Sequence, residues 1–145
     1  MGKQIFINLP VKDLKKTSTF FEKMGYSFDP QFSNEDAKCM IISDNIFVML
    51  LVEPFFSKFT GKEIPDTSRS SEVILSLNAD SRQAVDEFLQ KCISAGGKDT
   101  TKPNEMEFMY TRSFEDPDGH IWEVFWMDDA RMRSQQSTAQ IVDIG

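Results

Sequence analysis

The sequence predicts an α+β fold built from two β-α-β-β-β modules in tandem, and three observations predict it. A strand, an amphipathic helix and a hairpin follow one another within residues 4–52, and the same order returns within 72–127. The segments 46–52 and 121–127 are apolar on both alternating faces, the pattern of strands covered on both sides. Asp116-Pro117-Asp118-Gly119 sets a tight turn before the last strand, with Pro fixing one φ and Gly accepting a positive one.

Each element has its own signal. Residues 4–9 are apolar and β-branched and stop at Pro10, which reads as a strand. Asp13 stands as an N-cap before Leu14, Thr17, Phe20, Phe21 and Met24, the spacing of a buried helix face, and Gly25 closes it. Residues 26–32 read as an edge strand interrupted by Pro30. Residues 37–42 and 46–52 flank the turn Ser43-Asp44-Asn45 as a hairpin. In the second half, 72–77 is strand-like, and Asp80 with Gln83 three residues on resembles a capping box. Val85, Phe88, Leu89 and Cys92 line the helix that follows, ended by Gly96-Gly97, and strands are expected at 97–101, 108–114 and 121–127. The expected domain covers 1–128, with modules 4–52 and 72–127 joined by 53–71, and a polar tail over 129–145. Phe55, Phe56 and Phe59 in the joining segment predict a short helix or a flap in place of a free linker.

Composition excludes several function classes. With 13 Phe, 8 Met and 2 Trp the chain has ample core material, which excludes global disorder. Sixteen basic against 23 acidic side chains give a net charge of −7, so neither nucleic acid nor an anionic membrane surface is an expected partner. No apolar run approaches the roughly 20 residues of a membrane span, and the start lacks a signal peptide's apolar region, so a cytoplasmic location is expected. Cys39 and Cys92 form no Cys-x-x-Cys pair and read as buried packing residues. His120 is the single histidine, which excludes a His-His metal pair within one chain and reads as a surface turn residue.

Leu9-Pro10-Val11-Lys12-Asp13-Leu14, with Phe20-Phe21 and Met24-Gly25-Tyr26 after it, resembles the opening of the vicinal oxygen chelate superfamily, which holds glyoxalase I, extradiol dioxygenases and the fosfomycin and bleomycin resistance proteins. The stretch from Phe114 to Glu123, an acidic-Pro-Asp-Gly turn followed by a strand bearing a glutamate, resembles its closing signature. The resemblance covers about residues 4–128. It implies that the two modules form an incomplete eight-stranded barrel around a pocket, that the chain forms a homodimer, and that four pocket-facing positions correspond to the metal ligands of the metal-dependent members. Those positions read Phe6, Met49, Glu72 and Glu123. Phenylalanine offers no donor and a thioether is a soft one, so no metal cofactor is expected; a divalent ion held by Glu72 and Glu123 stays open as the alternative.

Two glutamates in one cavity are candidates for general acid and base work, and Glu123 is conspicuous in an otherwise apolar strand. Phe6, Asn8, Phe47, Met49, Leu51 and Phe125 are expected to line an apolar pocket, with Tyr110 and Arg112 facing it from the strand before the turn. Arg112 would there pair with Glu123 or with an anionic ligand group. The resulting reading is a protein with a degenerate metal site that binds or acts on a small molecule; whether it is an enzyme stays open. The competing reading is a divalent-metal-dependent lyase, isomerase or dioxygenase. The Phe6 and Met49 positions argue against glyoxalase I activity itself.

Overall fold

The computed structural model describes residues 2–100, 104–106 and 108–130. The first strand, β1 (Ile5–Val11), hands over to α1 (Leu14–Lys23) at Asp13, whose carboxylate accepts the Lys16 N–H and satisfies one of the free donors of the first helical turn. β2 (Ser27–Asp29), β3 (Ala37–Ser43) and β4 (Ile46–Val52) complete the first module. The joining segment opens with α2 (Glu53–Thr60), with Pro54 in its first turn, where the missing N–H removes no helical bond. The second module runs β5 (Ile74–Asn78), α3 (Arg82–Ser94), β6 (Lys98–Asp99), β7 (Asn104–Met106), β8 (Met109–Glu115) and β9 (Ile121–Met127).

The two sheets repeat one topology. The first has the order β1-β4-β3-β2 and the second β5-β9-β8-β6, with the short β7 also on β8. In each, the first and last strands of the module lie side by side and parallel, while the remaining pairs are antiparallel. Among the described residues no strand of one sheet pairs with the other, so the eight expected strands, with β7 added, form an open, incomplete barrel.

The helices cover one face of each sheet and share a core. Phe20 and Phe21 of α1 are fully buried against Trp122 and Phe114 of the second sheet, with Leu89 and Cys92 of α3 in the same cluster. The Phe21 and Trp122 ring centroids are 5.3 Å apart. Each such buried apolar side chain contributes roughly 1.5–3 kcal/mol. At Gly97 a Cβ would collide with Cys92 Sγ and the Phe20 ring, so glycine there lets the end of α3 close onto α1. Cys39 and Cys92 are both buried and unpaired.

Several boundaries differ from expectation for physical reasons. β1 continues through Pro10 because β1 is an edge strand, where a missing N–H need not break a ladder. The strand expected over 26–32 ends at Asp29, whose side chain caps a 3-10 turn, Pro30–Phe32. The α3 cap is Ser81 in place of Asp80: its hydroxyl accepts the Ala84 N–H at 3.0 Å. β7 is an addition to the expected strands, since 104–106 has no apolar run to mark it. The tail, from residue 131 onward, lies outside the described residues.

Candidate functional site

Strand alternation sorts each sheet into a helix face and an open face. In β4, Val48 and Leu50 enter the core under α1, so Phe47, Met49 and Leu51 take the other face. The parallel register sets Phe6 beside Phe47, Asn8 beside Met49 and Pro10 beside Leu51. Phe6 and Phe47 stack with centroids 4.7 Å apart, and Phe32 meets Phe6 edge-on at 6.4 Å. Phe6 is 40% exposed and Phe32 51%. At its Phe6 end this face therefore carries an aromatic patch open to solvent, because the second sheet does not close over it, whereas Pro10 and Leu51 at the other end are buried beside α2 as the doubly apolar β4 predicts.

The second sheet has the same layout with different chemistry. Trp122 and Val124 of β9 are buried on the helix face; Glu123 and Phe125 take the open one. Glu123 lies between Ser76 of β5 and Ser113 of β8, and Ser76 Oγ donates to its Oε1 at 2.8 Å. Phe125 lies between Asn78 and Thr111. Counting back from the two helix caps, Asp13 and Ser81, makes Asn8 equivalent to Ser76 and Phe6 equivalent to Ile74. Met49 and Glu123 are then also equivalent, each beside that first-strand partner.

Two sequence expectations are corrected by this register. Glu72 is not the counterpart of Phe6: it precedes β5 by two residues and is exposed, and the equivalence fails in part because the α3 cap lies later than Asp80. Tyr110 and Arg112 do not face the open side. Thr111 and Ser113 do, so Tyr110 and Arg112 point at α3. There the Tyr110 hydroxyl donates to Asp86 at 2.6 Å, and Arg112 pairs with Asp86 at 3.2 Å and Asp99 at 2.9 Å. The hydrogen bond to Asp86 raises the Tyr110 pKa above the ordinary phenol range, with burial adding to it. The guanidinium is thus held by α3 and β6, not by Glu123.

The donor set does not suit a divalent metal ion. Phe6 and Met49 supply no hard donor, and Glu123 is flanked by serines; among the described residues no three His, Cys, Asp or Glu side chains converge. One carboxylate with neutral hydroxyls falls short of the three or more carboxylate or imidazole ligands that usually hold such ions.

The Asp-Pro-Asp-Gly turn joins the modules. Asp118 accepts the Lys12 N–H at 2.8 Å and the Thr17 hydroxyl at 2.6 Å, tying the β8–β9 turn to the start of α1. Asp116 accepts the N–H groups of Asp118 and His120 and the Trp122 indole N–H at 3.0 Å. Burial pushes the Asp116 pKa up to about 6, against the opposing pull of His120 and the Trp122 hydrogen bond. Gly119, at φ +86°, packs against the Thr67 backbone, where a Cβ would not fit. Thr67 in turn donates to the Asp118 carbonyl. His120, expected as a surface turn residue, is partly buried with Nε2 2.7 Å from the Pro10 carbonyl oxygen. Beside this joint lies a cavity of about 280 Å³, bounded by Asn8, Phe56, Glu63, Glu72, Val73 and His120. The sequence points to Asn8 and Glu72 as pocket residues; Asn8 lies on the open face of β1 and also borders this cavity with Glu72, while Glu123 does not. The Ser76 contact has no sequence signal, because nothing marks a serine in a strand as a carboxylate partner.

Residues 3–124 match the family model described as the Glyoxalase/Bleomycin resistance protein/Dioxygenase superfamily. Among solved structures, a hypothetical protein from S. aureus is 24% identical with a TM-score of 0.74, covering 87% of this chain and 94% of that one. The bleomycin resistance determinant encoded on the transposon Tn5 is 20% identical with a TM-score of 0.62, over 88% of this chain and 99% of its own. The fosfomycin resistance protein FosX from Mesorhizobium loti is 15% identical with a TM-score of 0.63, over 87% and 92%. At these identities the likeness is one of fold. No curated protein gives a significant match. On the family match, carried on two modules of the same topology, the chain belongs to the glyoxalase/bleomycin resistance protein/dioxygenase superfamily.

Proposed function

We propose that this chain binds a small aromatic molecule on its open sheet faces without a resident metal ion, and that it does so as a homodimer in which the first-module face of one copy and the second-module face of the other enclose the ligand. The observation that carries the reading is the stacked pair of exposed Phe6 and half-buried Phe47, edged by exposed Phe32, beside Met49 at the position equivalent to Glu123. Aromatic faces take planar ligands by stacking, and a thioether side chain adapts to their outline. Glu123, from the opposite face, supplies the only carboxylate in the set and favours a ligand with positive charge. Binding without turnover is the simplest activity these groups support: the Ser76 hydroxyl on Glu123 is held by a carboxylate with no histidine or second acid beside it among the described residues.

The test is fluorescence titration with proflavine, a planar aromatic cation, alongside calorimetric titration with Mn(II), Ni(II) and Zn(II). Saturable proflavine binding that weakens by about tenfold or more in Phe47→Ala is the expected result, an effect of the size that central aromatic contacts carry. Light scattering of the protein is expected to give twice the chain mass. Stoichiometric tight metal binding that disappears in Glu123→Gln would overturn the reading in favour of a metal-dependent lyase, isomerase or dioxygenase.

A further inference from the structure

The cavity at the joint lies at the Asn8–Pro10 end of β1, beyond the Phe6 and Phe47 pair, and its wall has an unusual chemical bias. It is bounded by the end of β1, by α2, by the joining segment and by the turn that carries Gly119 and His120. Its volume, about 280 Å³, stands at the small end of the roughly 300–1,000 Å³ typical of ligand sites. Leu9, Pro10, Phe56, Pro65 and Val73 make its apolar walls.

The hydrogen-bond donors around it are largely committed to backbone carbonyls. A carbonyl only accepts, so His120 Nε2 carries a proton in its contact with Pro10, which leaves Nδ1 with no partner among the described residues. Asn8 Nδ2 donates to the Phe6 carbonyl, leaving Oδ1 free to accept. The Thr67 hydroxyl donates to the Asp118 carbonyl, the Ser71 hydroxyl to the Val73 carbonyl and the Thr60 hydroxyl to the Lys62 carbonyl. Glu63 and Glu72 add two carboxylates at the mouth, against the single ammonium of Lys62. Apart from the Lys62 ammonium, the Ser70 hydroxyl and one Asn8 N–H, what the wall has left to offer a guest is lone pairs and negative charge.

From this we infer that the joint cavity is a second binding site, for a small primary amine carrying a compact apolar body. An ammonium group has three donors and no acceptor, the complement of a wall in which most hydroxyl donors are already used and carboxylates outnumber the one ammonium. A guest with a carboxylate or phosphate would meet acceptors and two carboxylates and would be repelled. The body of the amine packs on Phe56 and Val73, and the aromatic ring of Phe56 adds attraction for the cation. Because the wall draws on both modules and on the segment between them, occupancy also fastens the joint and raises the melting temperature.

His120 is the single histidine of the chain, so its two ring nitrogens give NMR signals that need no assignment. The experiment titrates the protein with phenethylamine, and separately with 2-phenylethanol and phenylacetate, which keep the ring and change only the polar group. The expected result is a saturable shift of the His120 ring signals by phenethylamine, with the other two binding about tenfold more weakly or not at all. Glu72→Gln, an exposed position, should leave the free spectrum unchanged and weaken phenethylamine several-fold. Val73→Trp, also exposed, should fill the cavity and abolish the shift. Equal binding of all three compounds, an unshifted His120 at saturating amine, or full affinity in both variants would each overturn the assignment. Proflavine on the open face is expected to leave the His120 ring signals in place, so failure of either site is read independently of the other.

Discussion

The joint and the open faces divide the chemistry of this molecule between them. At the joint, polar groups are buried and matched: Thr17, Asp116 and Asp118 are all nearly inaccessible, and every carboxylate oxygen there has a named donor. On the open face of the first sheet, apolar groups are left in solvent: Phe6 and Phe32 are exposed and Phe47, stacked on Phe6, is half-buried. Folding alone explains the first arrangement, since a buried carboxylate must be satisfied or it destabilises the fold. Folding gains nothing from the second. The difference teaches where to look for function: the most recognisable sequence motif, Asp116-Pro117-Asp118-Gly119, serves structure, whereas the exposed end of the least polar strand is the surface proposed to take a ligand.

The sharpest way to break that contrast is Asp118→Ala. It removes an acceptor used by both the Lys12 N–H and the Thr17 hydroxyl, one of them fully buried. Loss of a buried, doubly bonded carboxylate costs about 3–5 kcal/mol. Urea denaturation is expected to show a loss of that order, with proflavine affinity unchanged wherever the variant remains folded. A variant of normal stability that no longer bound proflavine would place function at the joint and end the contrast.

Asp116 gives a smaller, pH-dependent effect. Its folded pKa, about 6, stands above the usual carboxylate value of 3.8, because burial disfavours the ionised form and Asp118 repels it while His120 attracts it. The sign follows from proton linkage: the folded state binds this proton more tightly than the unfolded one, so the associated stability is fully present below pH ~4. It is lost as pH rises through about 6 and is gone above it. Each tenfold difference in proton affinity between the two states is equivalent to ~1.4 kcal/mol, so stability falls by about 2–3 kcal/mol across that window. The urea midpoint measured from pH 4 to 8 should therefore carry a downward component that Asp116→Asn lacks. Parallel curves for the two proteins would show that Asp116 does not titrate there.

Much of this layout is legible in the chain, and the rest is hidden for identifiable reasons. Doubly apolar strands, the Asp13 cap and the Pro-Asp-Gly turn are local signals, and each leads to the observed element. The phase of a strand is not local. Residues 110–113 read Tyr-Thr-Arg-Ser, polar enough on both alternations that either pair could face out; the choice is made by Asp86, 26 residues before Arg112 and on another element. Asp80 and Ser81 are both good cap formers, and selecting the first contributes to the two-residue displacement of Glu72. A cover over the open faces is implied by apolarity alone, which cannot distinguish a surface buried within the chain from one reserved for something outside it.

The smallest stability effect belongs to Glu123, and it bears most directly on the contrast. Its carboxylate accepts one hydrogen bond, from Ser76, on a face open to water. Glu123→Gln keeps an acceptor for that hydroxyl and removes only the charge, so thermal denaturation should change by no more than about 0.5 kcal/mol. If the open faces exist for a ligand, the same substitution should weaken proflavine by several-fold while leaving its uncharged analogue acridone unaffected, because only the cation gains from the carboxylate. A stability loss as large as that of Asp118→Ala would mean that Glu123 is a structural group like those at the joint. Equal weakening of both dyes would instead assign Glu123 to the shape of the site and remove the case for a cationic ligand.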